Sequence, residues 1–313
     1  MDKLTAPLSG AKALTGEQTN SSILFPNLVM PDALDGVILK VLRYPAPVPH
    51  PDVEVPQALH RVGFTAVPKA LGFTTAEIPE LGLVTTSITS QLIPDADDGF
   101  ELACAYTKRN ESFITQAERL GENIAELHNA LALAFPETAE LDLTEFRTAL
   151  RERAETAIAE IPQLSQYRDA IFNSYNNLAT QSELQRIHGD LHLGQILYQP
   201  KTDKWYVLDF EGEPLRPAAA RAKPDFAERD VAGMMRSFAY AAAVGGTSDP
   251  TWANKAAQAF IDGYRRHREI DSIVLNALIL DKALYEAVYE NRHRQSWLPI
   301  PLAAITQMMN SVR

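Results

Sequence analysis

The chain of 313 residues contains a single cysteine, Cys104, so no intramolecular disulfide can form and no zinc site can be assembled from thiolates. It also lacks any run of about 18 apolar residues, the length a bilayer-crossing helix needs. The opening residues, MDKLTAPLSGAKALTGEQ, have no apolar core of the kind a secretory signal carries. Together these absences predict a cytoplasmic protein with no membrane partner. Positive charge is scarce too: 29 Lys and Arg stand against 40 Asp and Glu, a net charge of −11. Nucleic-acid surfaces need clustered cations, so no nucleic-acid partner is expected, which still leaves room for a local basic pocket for a nucleotide. No internal repeat and no low-complexity tract is present.

What is there reads as an ordinary globular chain, 46% hydrophobic and 22% charged, long enough to bury a sizeable core. The first third reads as strands and turns. Residues 37–42 (VILKVL) form an apolar run broken by one lysine, and residues 21–25 suit a second strand, the two joined as a hairpin across 26–36. Residues 44–56, rich in proline, are expected to be irregular until a helix opens near Asp52. After residues 83–92 the acidic PDADDG segment suggests a lobe boundary around 94–99, dividing the chain into lobes at 1–95 and 96–313. Beyond it, Leu120, Ile124, Leu127 and Leu131 recur at helical spacing within 117–134. Further helices are expected at 141–161, 228–244, 251–268 and 272–292, and a strand at 205–210. Strands first and helices later is an α+β order.

The chemistry concentrates in HGDLHLGQ (188–195) and VLDFEGEP (207–214). Asp190 sits in a loop with His188, Gly189 and His192, and Asp209 is expected to end a strand. Phosphoryl transfer uses such a pair, one carboxylate orienting and deprotonating the attacking hydroxyl and another holding Mg2+ on the nucleotide phosphates. Gln195 offers a neutral oxygen to the same metal.

HGDLH-x-x-Q with a downstream DFE resembles the motifs of aminoglycoside phosphotransferase-like kinases. The likeness is closer to actinobacterial maltokinases and related sugar kinases. Those carry HGDLHLGQ, DFEGEP, RDVAGMxRSF and WLPIPL in order, matched here at 188–195, 209–214, 229–238 and 297–302. The resemblance covers nearly the whole chain. It implies a bilobal, protein-kinase-like fold, with a small mainly-β N-lobe that binds nucleotide and a large mainly-α C-lobe that is catalytic and binds the acceptor. It further implies ATP as co-substrate with Mg2+, maltose as acceptor and maltose 1-phosphate as product, in trehalose and maltose conversion towards glycogen. Association with enzymes of that metabolism would fit this role.

By the same resemblance Asp190 is the catalytic base, and Asp209, Gln195 and Glu211 face the metal. Gln18, Thr19, Asn20 and Ser21, in a GEQSN-like turn, approach the nucleotide. Lys40 steadies its phosphates and Glu54 holds Lys40. Lys282, Tyr285 and Tyr289 share one helical face and serve the sugar, with Glu286 and His192 as weaker candidates. His188 and Asp230 support the catalytic loop. Each has a plainer reading: Asp190 and Asp209 as turn carboxylates, Asp230 as a helix cap, Lys40–Glu54 as a structural ion pair, and the Lys282 face as packing. His128 reads as a structural histidine.

Maltokinases carry an N-terminal cap of many tens of residues ahead of the GEQSN-like turn, which here lies near residue 16. An uncapped chain is therefore expected, and glucosamine, another amino sugar or an aminoglycoside stands as the alternative acceptor. A non-catalytic pseudokinase is the third reading, opposed by the intact Lys40, Glu54, Asp190, Gln195 and Asp209.

Overall fold

Polar turns divide the first hundred residues into extended runs short enough to pair with one another, whereas most of the later chain keeps helical periodicity. The computed structural model describes residues 10–14, 20–180, 182–213 and 221–311. It groups into two compact units, Met1–Gly99 with Gln195–Leu215, and Phe100–Gly194 with Arg216–Arg313. The expected division at 95–96 placed all the later chain in one lobe. That needs correction, because the strands formed by residues 196–207 pair with residues 97–98 and so belong to the first unit.

In the first unit, β1 (Lys12–Ala13), β2 (Ser21–Phe25) and β3 (Val37–Pro47) precede helix α1 (Pro51–Arg61), and β4 (Ala70–Ile78) and β5 (Gly82–Gln91) follow it. The sheet order is β1-β2-β3-β5-β4, antiparallel throughout. The expected β2–β3 hairpin forms, with Ser22 opposite Lys40. β3 runs to Pro47, through part of the segment expected to be irregular, with a register shift between Val41 and Ala46.

Helix α1 opens with Pro51, whose fixed φ suits a first helical position. His50 caps it, its Nδ1 accepting the Asp52 N–H at 3.1 Å. Asp52 and Glu54 lie in the first turn, where carboxylates complement the helix dipole. Val53, Val55, Ala58 and Leu59 are buried, and the helix packs on β4. A second, small sheet pairs β6 (Asp97–Asp98), β7 (Ile196–Gln199) and β8 (Lys204–Val207). β8 stops at Val207, short of the expected 205–210. Asp209 therefore sits in the turn beyond the strand, at φ +62°, a left-handed conformation that aspartate tolerates better than most residues.

The second unit is helical: α2 (Gly99–Lys108), α3 (Ile114–Ala134), α4 (Leu143–Glu160), α5 (Arg168–Asn176), α6 (Glu228–Gly245), α7 (Trp252–Arg265), α8 (Ser272–His293) and α9 (Pro299–Ser311). Five of these match the expected helices, and the periodic Leu120, Ile124, Leu127 and Leu131 are fully buried on α3. α3 packs closely along α7, while α6 and α4 flank α8. Leu150, Ile158, Ile171, Tyr175, Leu284 and Ile305 join α4, α5, α8 and α9 in one apolar core. Asp271 caps α8 by accepting the N–H groups of Ile273 and Val274. No helix among the described residues is long and apolar enough to cross a membrane. The architecture is the α+β, bilobal kinase-like fold expected from the sequence, with a small antiparallel-sheet unit and a larger helical one.

Candidate active site

In the first unit the site is built around one ammonium group. Lys40, central in β3, reaches Asp52 Oδ2 at 2.7 Å, Asp209 Oδ1 at 3.1 Å and Glu211 Oε1. Burial alone would pull the lysine pKa down. Three surrounding carboxylates, Asp52 first among them, outweigh burial and hold it well above the ordinary value. Burial would likewise raise the Asp52 carboxyl, but Lys40 draws it below the usual aspartate range.

Asp52 also accepts the backbone N–H of Phe210 at 2.7 Å, so a single side chain ties Lys40 to the DFE turn. This corrects the expected Lys40–Glu54 pair. Successive helical residues rotate about 100°, so the acid two positions after Asp52 leaves on a different face of α1. Glu54 forms no ion pair among the described residues.

Asn20 is buried, donates to Glu211 Oε1 at 3.1 Å and accepts the Arg43 N–H. Ser21 lies in β2 opposite Val41. Gln18 and Thr19 fall outside the described residues. Gln195 donates its amide N–H to Asp209 Oδ2 at 3.1 Å. Ligand-capable oxygens of Asp52, Asp209 and Glu211 all lie within 4.8 Å of one another. Among the described residues one ammonium group, that of Lys40, pairs with these three carboxylates, and burial keeps the adjacent His50 below its ordinary pKa. The cluster is thus strongly anionic and made of hard oxygen donors, a set that suits Mg2+.

In the second unit, residues 188–194 form a loop whose turns are closed by its own histidines. His188 Nδ1 accepts the Asp190 N–H at 3.3 Å, and His192 Nδ1 accepts the Gly194 N–H at 3.1 Å. Gly189 adopts φ +87°, a conformation open to glycine and costly for a β-branched residue. Asp230, in the first turn of α6, accepts the N–H groups of His188 at 2.8 Å and Gly189 at 2.9 Å. His128 Nε2 donates to the same carboxylate at 3.0 Å, and its Nδ1 accepts the Tyr264 O–H at 2.7 Å. Burial works to raise the Asp230 pKa, but the His128 hydrogen bond and the backbone donors bring it below normal.

Asp190 itself receives the Lys282 ammonium at 3.2 Å on Oδ1. Burial would raise its pKa, but Lys282, His192 and His188 together hold it below the usual aspartate value. Lys282 also lies 5.2 Å from the Tyr285 ring centroid. Glu286, one turn on, is buried against Arg236, whose Nε lies 2.8 Å from Oε2. It is therefore committed to an internal ion pair, a correction to its expected place at the sugar. Tyr289 is 37% exposed and packs against His293 and Arg294.

The sequence reading placed a helix start near Asp52 but gave neither Asp52 nor His50 a part in the site. Their signal is the run H-P-D at 50–52, the pattern of a histidine-capped helix start.

Comparison with known proteins fits this chemistry. The profile of the phosphotransferase enzyme family matches residues 40–270, well over half of the chain. The chain belongs to that family. A glucosamine kinase of Mycolicibacterium smegmatis is 31% identical, over 96% of this chain and 80% of the relative. One from Streptacidiphilus jiangxiensis is 28% identical, over 97% and 74%. A solved glucosamine kinase in complex with glucosamine, ADP and inorganic phosphate superposes with a TM-score of 0.77 at 27% identity. That match covers 96% of this chain and 82% of the other. As a member of the phosphotransferase family, the chain is an ATP-dependent enzyme that transfers phosphate to an alcohol group.

Proposed function

We propose that the acceptor is an amino sugar, glucosamine first, and that Mg2+ accompanies ATP. The observation that carries the acceptor is the 31% identity to a glucosamine kinase along 96% of this chain. Maltose, expected from the shared motifs, has no counterpart among these relatives, and the associated role in glycogen formation is not carried forward.

Asp190 receives the hydroxyl proton of the acceptor. Its pKa lies below the usual aspartate range, so it is ionised near neutrality and acts by orienting the hydroxyl more than by strong basicity. That suffices for a loose phosphoryl-transfer transition state, in which little proton movement is needed before bond formation. Lys40 neutralises nucleotide phosphate oxygens. Asp209 and Glu211, with the carbonyl of Gln195, would hold Mg2+, which when bound shields the charge of the phosphates. Lys282 holds Asp190 in place between turnovers and is the donor offered to a hydroxyl of the acceptor. Tyr285 and Tyr289 supply ring faces for the sugar on the same helix.

The test is ADP release with ATP–Mg2+ across glucosamine, glucose, maltose and one aminoglycoside. Turnover with glucosamine that Asp190→Asn lowers by roughly three orders of magnitude or more is the expected result, since the substitution removes both proton acceptance and alignment. Turnover confined to maltose would restore the disaccharide reading. Turnover undiminished in Asp190→Asn would remove Asp190 from the chemistry.

A further inference from the structure

The loop carrying Asp190 meets helix α6 along a single stripe. Asp230 accepts two N–H groups before the catalytic residue, those of His188 and Gly189. Three residues on, Gly233 offers only hydrogen towards the loop, and a Cβ there would overlap the carbonyl oxygen of Leu191. Four residues further, Ser237 Oγ accepts the Leu193 N–H at 3.0 Å, in a fully buried hydrogen bond. Spacings of three and four place 230, 233 and 237 on one face of the helix. The loop backbone is thus gripped at 188, 189, 191 and 193, with Asp190 in the middle.

We propose that Ser237 and Gly233 are positioning residues for phosphoryl transfer, clamping the half of the loop that follows Asp190 as Asp230 clamps the half before it. The proposal rests on the kinase reading given above. Ser237 is 7% exposed and Leu193 fully buried, so water has little access to replace the bond if the hydroxyl is removed. Ser237 also lies beside Arg236, which is held by Glu286, so the helix that presents the hydroxyl is itself fixed on α8. A loop held on one side only could pivot at Gly189, whose φ of +87° leaves it without a side chain to resist. The carboxylate would then swing relative to Lys282 without the fold being lost.

The experiment compares Ser237→Ala and Ser237→Thr with wild type in the ADP-release assay, alongside thermal unfolding and ATP–Mg2+ binding. For Ser237→Ala, kcat should fall by about tenfold to a hundredfold, the scale of a small misplacement of a catalytic group. Its KM for ATP and its fraction folded should remain those of wild type, and Ser237→Thr, which keeps an oxygen acceptor, should recover most of the loss. Gly233→Ala should act in the same direction as Ser237→Ala. If Ser237→Ala keeps wild-type kcat, or loses activity only in proportion to unfolded protein, the positioning role is wrong. Amide hydrogen exchange on wild type gives an independent reading. The Leu193 N–H should exchange as slowly as those of His188 and Gly189, and fast exchange would overturn the clamp even if no variant folds. Wild-type turnover in the same assay reports on the kinase reading separately, because the clamp is judged by variant ratios and exchange.

Discussion

At the scale of residues, the ionisation of Asp190 is governed by a competition between burial and the charges around it, Lys282 first. Burial is the largest influence on Asp190 and acts to raise its pKa, while Lys282 leads the groups that bring it down. Replacing Lys282 with methionine leaves burial less opposed, so the Asp190 pKa must rise. The acidic limb of the pH–rate profile should therefore move to higher pH in Lys282→Met, and a limb that stays in place would show that Lys282 does not set this ionisation. Lys40, Asp190, Asp209 and Asp230 were all legible in the sequence because each sits inside a short motif. The partner of Lys40 was not. Asp52 and Glu54 are two residues apart in the same first turn, and only the helix start at Pro51 decides which of them faces the strand. A run of letters carries both acids equally well, whereas the rotation of the helix selects one.

At the scale of elements, the crossing of α3 and α7 depends on two glycines. A Cβ on Gly121 would overlap the Phe260 carbonyl oxygen, and one on Gly263 would overlap that of Glu118. Each helix thus offers a bare backbone where the other presents a carbonyl, and neither backbone can yield without opening the pair. Gly121→Ala or Gly263→Ala should destabilise the protein by at least the upper part of the roughly 1–3 kcal/mol typical of overpacking. Thermal or denaturant unfolding would measure it, and an unchanged midpoint would show that the helices can separate freely at this crossing. The same crossing lies beside Tyr264, whose hydroxyl meets His128 and so reaches Asp230. Elements with a buried stripe, such as α3 and α8, were readable because their periodicity records which side is covered. β4 was not: it is an edge strand, exposed over most of its length and broken by two register shifts, so no alternation survives to mark it. The same holds for the end of β8, where the left-handed turn at Asp209 follows from a conformation that composition does not reveal.

At the scale of the whole molecule, a net charge of −11 coexists with a carboxylate cluster that its own lysine only partly neutralises. At the proposed site, the cation that accompanies ATP sets positive charge against those carboxylates, and a ligand that binds only the folded chain stabilises it. At about a hundredfold excess over Kd, ATP–Mg2+ should contribute about 2.7 kcal/mol, read as an upward shift of the thermal midpoint. In Lys40→Met the ligand-induced shift should shrink sharply, whatever the variant's own baseline. An undiminished shift would mean that Lys40 does not touch the nucleotide. The two units also differ in how the chain supplies them: each is assembled from two separate stretches, with the change of unit inside HGDLHLGQ, between Gly194 and Gln195. Inheritance follows from that threading. A single crossover between related genes, wherever it falls, cannot exchange one whole unit for another. A crossover between residues 99 and 195 would leave the DFE segment and the sheet of its unit descended from different parents, and one beyond residue 215 would divide the helical unit. With the acceptor held by the helical unit, as proposed, its preference should change by substitution within that unit or by paired exchanges on both sides of residues 195–215, and gene histories that show a lone breakpoint should be rare among active enzymes.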